Sequence, residues 1–238
     1  MNAAALTPSE LFAIAGKLPR VPLAHLPTPL EELPRFSARV GNGVRIFIKR
    51  DDCTGLLLGG NKARHNEFLL GDAVAQGCDM VVWGAGFQSN NCRQTAAGCA
   101  KLGLECRLYL SRMSYSSEVQ GNLLLDYLVG AHVEFTDAKI GPELDELLAA
   151  KAAEFRSAGR KPYYWHRPRV VPLAAISYAV WLARNYRMRT TPHLRHRGHA
   201  PVGRAADEPA EPCERSTRPT DVRRPRSDPR RAAVAAKR

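Results

Sequence analysis

The chain has 238 residues, 45% of them hydrophobic, and a formal net charge of +12. No apolar run approaches the ~20 residues of a membrane helix, which excludes a helical membrane protein. The charge is unevenly spread: residues 184–238 hold 15 basic and 6 acidic side chains, or +9, leaving +3 for the first 183. Basicity is therefore a property of the tail, not of the part able to build a core.

The start, Met1 to Lys17, carries Glu10 and lacks a basic segment before an apolar one, so it does not have the layout of a secretory signal, and a cytoplasmic protein is expected. The six cysteines show no paired C-x-x-C spacing and are expected as free thiols. Val44 to Lys49 alternates apolar and basic residues as a half-buried strand does. A helix follows a glycine turn, with Asn61 placed to cap it, Phe68, Leu69, Ala73 and Val74 on its apolar face, and Gly77 as its stop.

Met80 to Trp83 reads as the next strand, followed by a helix from Asn90 to Leu102, where Cys92 and Cys99 share one face as small buried residues. Leu104 to Leu110 is a strand, Glu118 to Leu128 a helix, His132 to Phe135 a strand and Pro142 to Phe155 a helix. Tyr163, Tyr164 and Trp165 suit a loop packed onto the domain, and Leu173 to Ala183 a last helix with Pro172 near its start. This alternation predicts an open α/β sheet with helical crossovers.

Beyond Ala183 the chain is rich in arginine and proline. Ordering costs ~1 to 2 kcal/mol per residue, which so little apolar surface cannot offset, so residues 184–238 are expected to be disordered. That tail lacks the interleaved aromatics of a nucleic-acid platform, and a solvated tail is favoured over nucleic-acid binding. His193, His196 and His199 stand among arginines that repel a cation, so no metal site is assigned.

Two segments could do chemistry. Gly59-Gly60-Asn61-Lys62 delivers an amine to the first turn of a helix, where the helix dipole and partial burial both favour the neutral form. Gly84 to Asn91 joins a strand to a helix, so Ser89 and Asn90 stand where α/β sheets place ligands; helix capping accounts for the same residues.

Taken together, Ile48-Lys49-Arg50-Asp51-Asp52, Gly59-Gly60-Asn61-Lys62, Glu67-Phe68-Leu69-Leu70, Gln88-Ser89-Asn90 and Arg93-Gln94-Thr95-Ala96-Ala97, with the early Leu26-Pro27-Thr28-Pro29-Leu30, resemble the D-cysteine desulfhydrase and 1-aminocyclopropane-1-carboxylate deaminase family over about Pro22 to Leu182. The resemblance implies an α/β fold of the tryptophan synthase β-like, fold-type II kind. Residues 1–74 would begin the cofactor-binding domain, 75–165 form a small parallel-sheet domain, and 166–183 start the return into an incomplete larger domain. It implies pyridoxal 5'-phosphate as cofactor, with Lys62 as its aldimine partner and proton shuttle. Asn61 would lie against the cofactor and Asn90 on its phenolic oxygen, while Ser89 and Gln88 would face the substrate. A lyase or deaminase acting on a small amino acid is the implied activity, and a homodimer is compatible with it.

His65-Asn66 and Trp83-Gly84-Ala85-Gly86-Phe87 depart from the family pattern, and no glycine-rich phosphate loop follows residue 183. A shifted reading frame after about Ala183 is the simplest account of that end, and a catalytically inactive fragment is the alternative to a working enzyme.

Overall fold

The computed structural model describes residues 6–112 and 118–190. Helix α1 (Pro8–Ala15) opens with a capping box, in which Thr7 Oγ1 accepts from the Glu10 amide and Glu10 returns a bond to the Thr7 amide. Sequence periodicity alone did not indicate this helix. Strand β1 (Leu30–Glu32), helix α2 (Pro34–Val40) and strand β2 (Phe47–Lys49) follow. The strand expected from Val44 is thus only three residues long, and it pairs antiparallel with β1, apart from the main sheet.

A short 3₁₀ turn (Asp51–Thr54) leads to α3 (Lys62–Ala75), then β3 (Met80–Gly86), α4 (Asn90–Leu102), β4 (Glu105–Ser111), α5 (Gly121–Leu128), β5 (His132–Thr136), α6 (Pro142–Ser157), β6 (Pro162–Tyr164) and α7 (Arg167–Thr190). Strands β5, β4, β3 and β6 form one parallel sheet in that order, joined by helical crossovers as expected. Strand β3 is longer than its apolar run, because Gly84, Ala85 and Gly86 pair with Tyr109, Leu110 and Ser111. A Cβ on Gly84 would stand 2.7 Å from the Tyr109 carbonyl oxygen, so glycine keeps this end of the strand in register.

Three other readings need correction. Tyr163 and Tyr164 lie in strand β6 rather than in a loop, since their backbone finds β3 as a neighbour. Helix α7 begins at Arg167, tolerating Pro172 within it, where the missing N–H removes a single bond close to the start. It also runs past Ala183 to Thr190, so the first residues of the basic tail are helical; a buried Asn185 packs beneath this stretch and Arg184 lies over the Phe12 ring. The rest of the tail, with His193, His196 and His199, lies outside the described residues.

Helix α3 departs most from its pattern. An apolar face of Phe68, Leu69, Ala73 and Val74 was expected, but every residue from Ala63 to Ala73 is buried, while Val74 is exposed. Helices α4 and α7 both pack on it. Burial of its arginine and carboxylates is tolerable because they are paired. Arg64 donates to both carboxylate oxygens of Asp51, at 2.8 and 2.6 Å, and to Thr28 Oγ1. Glu67 accepts from Arg20 and from the amides of Leu23 and Ala24, which ties the incoming chain to the helix. Asp72 takes Arg169 and the Tyr163 hydroxyl, joining α3 to α7 and β6. Cys92, Cys99 and Cys106 are buried, and Cys53 and Cys78 are also free thiols. Among the described residues no helix is long and apolar enough to cross a membrane.

Candidate active site

The loop before Lys62 is unusual in its backbone. Leu57, Leu58, Gly59 and Gly60 have φ of +39°, +63°, +70° and +125°, four consecutive residues in a region that favours glycine. Left-handed geometry costs a residue with a side chain ~1 to 2 kcal/mol, so the two leucines store strain that the surroundings must hold.

Helix α4 holds it. Arg93 donates from Nη1 to the Leu57 carbonyl and from Nη2 to the Gly59 carbonyl at 3.0 Å, and Gln94 Nε2 donates to the Gly59 carbonyl as well. From the other side, the Gly60 amide donates to Thr54 Oγ1 at 2.8 Å and to the Asp51 carbonyl at 2.8 Å. A Cβ on Gly59 would fall 1.8 Å from the Asp52 carbonyl oxygen, and one on Gly60 2.3 Å from Gln94 Nε2, so both glycines are required by close approach.

Lys62 stands at the first position of α3, half buried. Among the described residues its amine makes no hydrogen bond or ion pair. Asn61 does not cap the helix as expected: its backbone is already helical, at φ −66° and ψ −19°, and its side chain bonds to no helix amide. The first turn closes instead through the Arg64 amide on the Asn61 carbonyl at 3.1 Å. Asn61 is exposed, and the Tyr178 hydroxyl of α7 lies 3.5 Å from its carbonyl oxygen.

At α4, Ser89 is the N-cap: its Oγ accepts from the Asn91 and Cys92 amides at 3.2 and 3.3 Å. Capping uses the hydroxyl's lone pairs, and a side-chain bond from Ser89 to the Cys92 thiol works against the burial that raises that thiol. Asn90 is exposed, with Oδ1 accepting from Asn122 at 3.0 Å and, more distantly, from Arg93 Nη2 at 3.5 Å. Gln88 is engaged at both ends of its amide, donating to the Gln120 carbonyl and accepting from the Asn122 amide, which fastens the Gln88–Asn90 segment to the start of α5.

The Lys62 and Ser89–Asn90 segments are thus joined through the Arg93–Gln94 clamp. A second joint is the 2.9 Å bond between His65 Nε2 and Asn91 Oδ1. Since an amide oxygen can only accept, Nε2 carries the hydrogen. Burial pulls His65 down to about 4 against the bond to Asn91, and the Lys62 charge adds to that, so the imidazole is neutral near pH 7.

Three residues escaped sequence reading. Arg93 and Gln94 stood out only as part of a motif, because their partners are carbonyls that any residue could supply. Asp126 on α5 gave no signal: its carboxyl is fully buried, neither oxygen has a hydrogen-bond partner, and burial raises it to about 7 despite the opposing charge of Arg93.

The loop before Lys62 is thus bonded to α4, the helix that begins at Ser89 and Asn90. Residues 21–179 match the family described as pyridoxal-phosphate dependent enzyme, and the chain belongs to that family. It is 39% identical over 169 residues to a Pyrococcus horikoshii protein named "Putative 1-aminocyclopropane-1-carboxylate deaminase", covering 71% of this chain and 50% of that one. It is 44% identical over 155 residues to the D-cysteine desulfhydrase of Klebsiella pneumoniae strain 342, covering 62% and 45%. Among solved structures, that of an ACC deaminase homologue matches with a TM-score of 0.67 and 36% identity, over 76% of this chain and 54% of the other. The chain spans about half the length of the relatives it matches.

Proposed function

We propose that this chain is a lyase of the deaminase and desulfhydrase kind, which binds pyridoxal 5'-phosphate on Lys62 and releases ammonia, with or without sulfide, from a small amino acid. The observation that carries the reading is the Lys62 amine, half buried, without a hydrogen bond or ion pair, at the end of a strained loop clamped by Arg93 and Gln94. An unengaged amine suits the aldehyde of the cofactor, and the donors of Asn61 and Asn90 suit its ring and phenolic oxygen. Bound there, the cofactor supplies an electron sink for a carbanion at the substrate's α-carbon.

The protein's own groups do the rest. Lys62 Nζ takes and returns the proton at the substrate carbon. The uncharged His65 lies on the same helix without competing for that proton. Ser89, with Gln88 beside it, faces the substrate carboxylate at the positive end of α4. Asn90, bonded by Asn122, would meet the cofactor's phenolic oxygen. The free thiols fit a reducing compartment, here the cytoplasm.

Borohydride treatment with pyridoxal phosphate, followed by peptide mass spectrometry, tests the assignment. The expected product is a stable adduct on the peptide bearing Lys62, absent in Lys62→Ala; an unmodified Lys62 refutes it. Ammonia and sulfide assays on D-cysteine and 1-aminocyclopropane-1-carboxylate then separate the activities, and size-exclusion chromatography shows whether the protein is a homodimer. The alternative reading, a catalytically inactive fragment, requires that no ammonia or sulfide be released from either substrate.

A further inference from the structure

A cavity of about 590 Å³ opens between α1, α7 and the first half of α3, and neither Lys62 nor Ser89 nor Asn90 lines it. Its size is that of small-molecule sites. Phe12, Leu26, Phe68 and Trp181 supply an apolar wall, and Arg20, Lys49, Arg64 and Arg184 bring four cations to it.

Two of these cations are already neutralised, Arg20 by Glu67 and Arg64 by Asp51. The other two are not. Lys49 Nζ donates to the Thr28 carbonyl at 2.6 Å and Arg184 lies over Phe12, but among the described residues neither has a carboxylate within ion-pair range. Burial and the neighbouring Arg64 lower the Lys49 ammonium from its ordinary value, with Asp51 opposing, as expected for a charge lacking a counter-ion.

Two further polar atoms on the wall are buried and unpartnered: the Trp181 indole Nε1, a donor, and Asn185 Oδ1, an acceptor on a side chain only 9% exposed. Such orphans are rare in native interiors and call for a partner. Excess positive charge beside an apolar wall selects an anion with an apolar body. An orphan donor and an orphan acceptor together select one that can also accept from the indole and donate to the amide.

We propose that this cavity is a second ligand site, which binds a small carboxylate carrying an apolar group and an adjacent N–H, as in an N-acylated hydrophobic amino acid. The carboxylate lies against Lys49 and Arg184, the apolar group against Phe12 and Phe68, and the N–H on Asn185 Oδ1.

Isothermal titration calorimetry of the full chain with N-acetyl-phenylalanine and with its neutral amide tests this. The acid is expected to bind at least roughly tenfold tighter than the amide, as removal of a charged hydrogen-bond partner implies. Lys49→Met and Arg184→Gln should each weaken the acid by a similar factor and leave the amide unchanged. Arg184 is exposed, so its variant separates binding from folding, and circular dichroism confirms the fold of both. Equal affinity for acid and amide, wild-type affinity in both folded variants, or no binding at millimolar concentration overturns the proposal. Lys62→Ala should bind the acid as wild type; loss of binding there would place the ligand at the lysine and overturn the second site, whereas failure of Lys62 to capture pyridoxal phosphate leaves it untouched.

Discussion

Replacing Arg93 by methionine removes the clamp on the loop that presents Lys62 while keeping much of the apolar stem. Arg93 is 6% exposed, and its guanidinium bonds to two carbonyls, those of Leu57 and Gly59. A hydrogen bond from a charged donor contributes ~1.5 to 3 kcal/mol, so the pair contributes about 3 to 6 kcal/mol. Against this stands the strain of Leu57 and Leu58 at positive φ, together about 2 to 4 kcal/mol. The clamp and the strain are of similar size, so without Arg93 the loop is expected to relax toward ordinary backbone geometry and carry Lys62 out of place. Part of the lost energy returns as that relaxation, leaving a net destabilisation of about 2 to 4 kcal/mol in urea unfolding. Pyridoxal phosphate capture on Lys62 should then need at least roughly tenfold more cofactor, equivalent to 1.4 kcal/mol of lost placement. Arg93→Lys keeps the charge but not the fork, and should recover less than half of the loss. If Arg93→Met is folded and captures the cofactor at wild-type concentrations, the loop does not depend on α4 and the reasoning fails.

Two pH effects follow from buried groups. The Asp126 carboxyl, raised from 3.8 to about 7, is protonated in the fold and ionised in the unfolded chain at intermediate pH. Its contribution to stability is fully present below pH 3.8 and is lost as pH rises through about 7, a difference of at most roughly 4 kcal/mol. Subtracting the unfolding free energy of Asp126→Asn from that of wild type should reveal this fall between pH 4 and 8; parallel curves would count against a buried acid. His65 runs the other way: with its folded value near 4, its contribution is present above the ordinary 6.5 and is lost as pH falls through 4. Its ring protons should show no titration by NMR between pH 5.5 and 8, and a midpoint near 6.5 would contradict the burial that isolates it.

Much of the sheet was legible because its signal is local. Met80 to Trp83, Leu108 and Leu110 are apolar runs between glycine stops, and the three β-turn-α units repeat with crossovers that only a parallel sheet accommodates. The lysine after the glycine pair and the cap at Ser89 were also visible, since a turn and a helix start are decided by a few adjacent residues. The strand at Pro162–Tyr164 was not, because three residues become a strand only when β3 offers an open edge.

Polarity misled where a remote partner cancels it. Arg64, Glu67 and Asp72 are charged, yet Asp51, Arg20 and Arg169 allow all three to be buried in α3. The sequence by itself determined the strands β3, β4 and β5 with the helices between them, and marked the short stretches that are candidates to meet a ligand, since both follow from near neighbours along the chain. Only the tertiary structure decided which charges lie inside, why the loop before Lys62 can hold four residues at positive φ, and where a cavity with unmatched cations opens, because each depends on groups 13 to 97 positions apart meeting in space.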